Sequence, residues 1–204
     1  MRSPLVYLLL LLILGCQQPS EFEGRVIYQQ RVISKHSSVD ANVYNQIFGD
    51  TLTWTHRKGN YTEESNGSGS PKIIYLKDKA FTFTILTDSV VVRDVTREEK
   101  HLDTLYFSGK KETILNHSCT ELVKVINGVY HRFWVSSKLS VVPENFSAYQ
   151  LSHYNSQYSF APFHYLRYEY ESGVFKIERE AILVDQSPVS PETFSVPGID
   201  LFDQ

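Results

Sequence analysis

Few side chains in this chain have the type and spacing to carry out chemistry. Cys119 and His117 lie two residues apart, so on a strand they would share a face, as a thiol and its base must. A catalytic thiol also needs a depressed pKa and a sharp turn or helix N-terminus to present it. Here Leu122, Val123 and Val125 follow, and such apolar company marks Cys119 as a small buried hydrophobe. The seven histidines, His36, His56, His101, His117, His131, His153 and His164, are scattered. None has the H-x-x-x-H or H-E-x-x-H spacing, and no Cys pair assists them, so neither a metal nor a cofactor is expected. The carboxylate neighbours Glu63-Glu64 and Glu98-Glu99 face opposite ways on a strand and read as solvated. There is no phosphate loop, dinucleotide fingerprint or G-x-S-x-G turn. No catalytic residue emerges, and the chain reads as a non-enzyme, with an exported hydrolase the least favoured alternative.

Cys16 is the reactive position with specific surroundings. Arg2 precedes an apolar run, Leu5 to Leu14, of ten residues. As a helix that run spans about 15 Å, half of a ~30 Å hydrocarbon core, so it suits a secretory signal rather than a permanent span. It ends in Ile13-Leu14-Gly15-Cys16, which resembles a bacterial lipobox. Residues 1–15 therefore read as a lipoprotein signal peptide, 16–21 as a lipidated tether and 22–204 as one domain. Each buried CH₂ of the acyl chains contributes ~0.8 kcal/mol, enough in sum to hold the protein on a membrane through Cys16. Position 17 is Gln rather than Asp, which favours the outer membrane, facing the periplasm. With Cys119 alone downstream, no internal disulfide can form.

Aromatic residues make up 13 % of the chain, apolar residues 42 % and charged residues 21 %, with a formal charge of −3. That balance excludes a disordered chain and leaves no basic footprint for nucleic acid. The stretch 153–165 is dense in rings, with Tyr154, Tyr158, Phe160, Phe163 and Tyr165. They suit the lining or lid of an apolar cavity, to which Tyr28 and Phe83 on strands would add; equally, they could seal a large sheet core.

The elements that must position these groups are mostly strands. Residues 22–33 alternate, with Phe22, Val26, Tyr28 and Val32 on one face and Arg25, Gln29 and Arg31 on the other. Residues 38–49 have helical spacing, with Ser38 or Asp40 as cap and Gly49 as stop. Further strands are expected at 51–56, 60–64, 72–76, 80–86, 89–95, 102–107, 120–126, 129–135, 163–170 and 174–184. Arg57-Lys58-Gly59, Gly109-Lys110-Lys111, Asn127-Gly128 and Glu171-Ser172-Gly173 read as turns. Residues 143–153 suggest a helical segment, and the proline-bearing tail after Gln186 a covering extension. The fold class is mainly β (α+β): a large curved antiparallel sheet, half-barrel or barrel, with one or two short helices.

Phe22-Glu-Gly-Arg-Val-Ile-Tyr28 resembles the first strand of GLPGLI-type exported proteins of Bacteroidota. Thr113 to Cys119, Gly128-Val-Tyr130, Trp134 to Leu139 and Pro143-Glu-Asn-Phe146 are similar to that family's middle, although the hexapeptide that names the family is absent after Phe146. The resemblance implies the lipoprotein-carrier half-barrel, closed by helices over an apolar cavity, and brings no catalytic residue with it. Asp50-Thr51, Asp88-Ser89 and Asp103-Thr104, each before an apolar residue, resemble the O-glycosylation pattern of the same phylum, which would modify Thr51, Ser89 and Thr104. The leading expectation is an outer-membrane lipoprotein that binds a lipid or other apolar ligand. The runner-up is an interaction module with a filled core and an envelope protein as partner.

Cys16→Ala is expected to give soluble or unprocessed protein. The check is membrane fractionation at high salt and carbonate together with the intact mass of the wild type. A variant that stays with the membrane, beside a wild type lacking acyl mass, would contradict lipidation.

Overall fold

A computed structural model describes residues 20–35, 40–97 and 102–199. Cys16 and the expected signal peptide over 1–15, together with His36, His101 and Glu98-Glu99, lie outside the described residues. Eleven antiparallel strands form one curved sheet that does not close. They are β1 (Gly24–Ser34), β2 (Thr51–Arg57), β3 (Asn60–Ser65), β4 (Lys72–Leu76), β5 (Phe81–Ile85), β6 (Val90–Asp94), β7 (Leu102–Ile114), β8 (His117–Ile126), β9 (Val129–Ser140), β10 (Phe163–Glu171) and β11 (Phe175–Asp185). The spatial order is β6-β5-β4-β3-β2-β1-β11-β10-β9-β8-β7. The chain thus lays six strands outward from β1, moves to the opposite edge, and returns strand by strand until β11 pairs with β1. A twisted open sheet of this width has to curl, and the curl produces an inner face that needs a cover.

The two helices are α1 (Ala41–Phe48) and α2 (Tyr154–Phe160). Asp40 caps α1 by accepting from the Asn42 amide at 2.9 Å, and Gly49 ends it at φ 77°. Tyr44 and Phe48 pack on Phe175 of β11 at 5.5 and 5.6 Å between centroids, while Val43 and Ile47 remain exposed. No helix among the described residues is long and apolar enough to cross a membrane.

The inner face carries the main core: Val26 and Tyr28 of β1, Leu52 and Trp54 of β2, Tyr61 and Tyr75 of β3 and β4, and Leu122 and Phe133 of β8 and β9. Residues 143–160 lie over it as a roof, made of two 3-10 turns (143–146 and 151–153) and α2. Ring packing joins roof to sheet, with Phe146 5.7 Å from Tyr75, and Tyr149 4.6 Å from Tyr75 and 6.3 Å from Tyr61. Buried tyrosine hydroxyls have partners, as burial demands. Tyr61 and Tyr149 share a hydrogen bond of 2.8 Å, Tyr75 donates to the Asn145 carbonyl at 3.0 Å, and Tyr28 donates to the Tyr165 carbonyl at 2.8 Å.

A second, smaller core lies on the outer face. Ile74, Leu76 and Phe83 are covered there by Phe194 and Val196 of the C-terminal tail. Gly24 is required where β1 passes β11, because a Cβ at its φ of 144° would come within 2.1 Å of the Asp185 carbonyl oxygen.

Two expectations are corrected. Gly109-Lys110-Lys111 is not a turn. It lies inside β7, where the register with β8 shifts between Phe107 and Lys111 and Gly109 takes φ 85°. The turn comes later, at Leu115-Asn116, both at positive φ. The helical segment expected over 143–153 consists of two 3-10 turns, and the α-helix follows it, over 154–160.

Tyr28→Ala is expected to lower stability by about 3–5 kcal/mol, since the ring is fully buried. Tyr28→Phe should cost about 1 kcal/mol for the lost hydrogen bond. Urea denaturation measures both, and a loss under 1 kcal/mol for the alanine variant would contradict this packing.

Candidate functional site

Beneath the roof the inner face forms a partly open cavity of about 250 Å³. Its apolar wall comes from Ile126, Phe133, Phe175 and Ile177, and its ring wall from Tyr154, Tyr165, Tyr168 and Tyr170. Glu63, Lys124 and Arg179, from three separate strands, also face it, as do His131 and Ser152. Strand alternation places the three charged side chains there. Glu63 lies opposite Trp54 on β2, Lys124 opposite His131 on β9, and Arg179 opposite Gln30 on β1 and Tyr168 on β10.

Lys124 ties the roof to the sheet. Its ammonium donates to Gln157 Oε1 at 2.7 Å and to the Ser152 carbonyl at 3.0 Å, and lies 5.2 Å from the Phe133 ring centroid. Arg179 donates to Gln30 Oε1 and lies over the Tyr168 ring at 5.5 Å. Glu63 has no hydrogen-bond or ion-pair partner among the described residues. Burial holds its carboxyl above the usual range, against the opposing pull of Arg179. His131 Nδ1 shares a hydrogen bond with the Tyr168 hydroxyl at 3.0 Å, and burial, with Lys124 nearby, pushes its pKa down to about 4. The cavity therefore presents a neutral imidazole, phenol hydroxyls, the Glu63 carboxyl and the Arg179 guanidinium within an apolar frame. This set can hold and orient a polar group; it contains no activated nucleophile.

The structure separates the residues singled out for the cavity. Tyr154 and Tyr165 line it. Tyr28 and Tyr158 are buried in the main core beside it, and Tyr158 packs at 4.4 Å on Phe146 and 5.9 Å from Tyr154. Phe163 is half-buried against the same core, whereas Phe160 is 48 % exposed and stacks on Phe107. Phe83 faces the other side of the sheet, beneath the C-terminal tail. The solvated reading of Glu63-Glu64 is correct for Glu64 alone, which is exposed 3.8 Å from Lys72, while Glu63 turns inward. Sequence reasoning missed Lys124 and Arg179 as well. The available signal was a charged residue at the inward position of an otherwise alternating strand.

Cys119 is fully buried, and its thiol donates to the His117 carbonyl at 3.4 Å. Burial raises its pKa, opposite to what a nucleophile needs. No cluster of metal-binding side chains occurs among the described residues. Thr51 begins β2 and its hydroxyl donates to Asp50 at 3.0 Å, Ser89 is exposed in the turn before β6, and Thr104 is exposed on β7. A larger groove of about 710 Å³ borders the outer face of β1, β10 and β11, but its charges are already matched, Arg31 with Glu178 and Arg167 with Glu180.

No protein-family model matches the chain, and no curated protein matches it. Among solved structures, the Mycobacterium tuberculosis lipoprotein LppX is 12 % identical, with a TM-score of 0.36 over 82 % of this chain and 89 % of that one. LprF from Mycobacterium bovis is 7 % identical, with a TM-score of 0.35 over 82 % and 88 %. Likeness at that level carries no argument about the site.

Two buried histidines beside the cavity make stability depend on pH. His164 stacks on Trp54 at 3.4 Å and shares a hydrogen bond with the Tyr158 hydroxyl at 3.3 Å, and His56 donates to the Phe22 carbonyl at 2.7 Å. Neither Nε2 has a hydrogen-bond partner among the described residues. Burial lowers both pKa values, so the unfolded chain binds more protons below about pH 6.5. Stability is thus complete above about pH 6.5 and lost as the pH falls, by up to ~1.4 kcal/mol per pH unit for each histidine. Denaturation between pH 7.5 and 5 should show this slope, and His164→Gln with His56→Gln should reduce it, leaving the part that His131 supplies. An unchanged slope in the double variant would refute the assignment.

Proposed function

We propose that this protein is a lipid-anchored envelope protein that binds a single apolar chain non-catalytically in the cavity under its roof. In this reading residues 1–15 are removed, Cys16 is acylated, and the domain from 22 onward stands at the outer membrane facing the periplasm. A distant kinship with the GLPGLI-type proteins fits the order of elements and the short motifs from Phe22 to Phe146.

The observation that carries the proposal is the cavity itself. A sheet of this size could have filled its concavity with side chains, yet a partly open space of about 250 Å³ remains, lined by Phe133, Tyr154, Phe175 and Ile177 among others. The volume lies just under the ~300–1,000 Å³ of ordinary ligand pockets, which suits one chain rather than two. Each CH₂ buried there would contribute ~0.8 kcal/mol.

The test fills the space. Native mass spectrometry of protein isolated from its own membranes should show a co-purifying single-chain molecule in the wild type. Ile177→Trp, which adds bulk at the cavity wall, should lose it while keeping its β-sheet circular dichroism. A wild type without any such adduct, or an Ile177→Trp variant that retains it in full, would contradict the proposal.

A further inference from the structure

We infer that the end of the sheet where the chain enters the domain docks on the membrane surface, with an anionic phospholipid head seated in a basic groove there; the inference rests on the reading that Cys16 is lipidated. Ser20, four residues after Cys16, is fixed to the fold. Its carbonyl accepts from Ser140 Oγ at 2.9 Å, and the Phe22 amide donates to the Ser140 carbonyl at 2.7 Å. Four residues span at most ~14 Å, so an acylated Cys16 keeps this end of the domain beside the lipid. Glu21 accepts from Asn145 Nδ2 at 2.8 Å, and Asn145 Oδ1 accepts from Lys77 Nζ at 3.1 Å. Asn145 also abuts Gly59, where a Cβ would come within 2.6 Å of it. The point of entry is thereby joined to the β2–β3 turn, which holds Lys58 and Gly59, and to the β4–β5 turn over residues 77–80.

These two turns border a groove of about 300 Å³. Leu76 and Phe194 give it an apolar floor, and Arg57, Lys58 and Lys79 line it together with one carboxylate, Asp78. The chain as a whole carries a formal charge of −3, so a surplus of cations here is a local feature. Arg57 shapes the wall, since it donates to the Val189 carbonyl at 2.6 Å and lies 3.6 Å from Glu23. Lys58 and Lys79 are exposed, and neither ammonium has a hydrogen-bond or ion-pair partner among the described residues. Cations around an apolar floor match a phospholipid head, whose phosphate meets the lysines while its glycerol and first methylenes lie on Leu76 and Phe194. An anionic phospholipid fits best, because it has no ammonium of its own to cancel that phosphate. The membrane is the partner that the tether places within reach of this groove. The opposite end of β1 lies ~33 Å along the strand, where Ser34 pairs with Phe175 of the cavity wall.

The full lipidated protein can be anchored in vesicles of phosphatidylcholine alone, or of phosphatidylcholine and phosphatidylglycerol in equal parts. Brief acetylation with a water-soluble ester, read by peptide mass spectrometry, reports the exposure of each lysine. Lys35, which follows the far end of β1, is the internal reference. In the anionic vesicles Lys58 and Lys79 should react about tenfold more slowly, relative to Lys35, than in the neutral ones. Each lysine near an anionic surface contributes about fivefold to such docking, so Lys58→Gln should leave Lys79 only about threefold protected. Sodium chloride at 1 M, where the screening length is ~3 Å, should remove the protection. Equal labelling in the two kinds of vesicle overturns the docking while the anchor stands. Protection by inorganic phosphate alone in neutral vesicles assigns the groove to a free anion and overturns it as well. Protection there that rises with protein density assigns it to a second copy, with the same consequence. Protein that lacks acyl mass and joins neither vesicle removes the anchor and the docking together.

Discussion

Ring-on-ring packing between the roof and the sheet is the interaction on which the rest of this structure depends. An open sheet of eleven strands has free edges and an inner face too wide to cover itself. Residues 143–160 cover it with little regular structure of their own, and Ser152 and His153 both take positive φ. They are held by Phe146, Tyr149, Tyr154 and Tyr158, stacked on one another and on Tyr61 and Tyr75 at 4.4 to 6.4 Å. Flat rings bury a large area with few rotatable bonds, so a short irregular segment can be fixed without a long helix. The Lys124 bond to Gln157 adds a directional tie at the point where the aromatic ladder meets the cavity.

That arrangement decides where space remains. The ladder fills the concavity over Tyr61 and Tyr75, and the wall lined by Phe133, Tyr165 and Ile177 stays partly open beside Tyr154. Polar groups collect in the open part, since inward positions lying away from the ladder need not be apolar.

Much of this was legible in the sequence. Strand alternation placed Val26 and Tyr28 inward and Arg25 and Gln29 outward, as observed, and Asn127-Gly128 made the expected hairpin with both residues at positive φ. The tail after Gln186 does cover the sheet. Less legible was which face each strand would bury. Phe83 alternates as cleanly as Tyr28, yet β5 shows its rings to the outer core, because period two assigns faces without saying which face is inner. Glu63 was hidden for the same reason: a carboxylate beside another on a strand usually faces water, and only the partner strand reveals which of the two turns in. Helix α2 escaped notice because it has no capping side chain, and its start at His153 is left-handed. Gly109 resembled a turn because a bulge needs the same backbone freedom.

The most direct measurement is a crystal structure of the protein isolated from its own membranes without delipidation. Elongated density lying against Tyr154, Phe133 and Ile177 is the expected result. A pocket that holds only ordered water there would contradict chain binding.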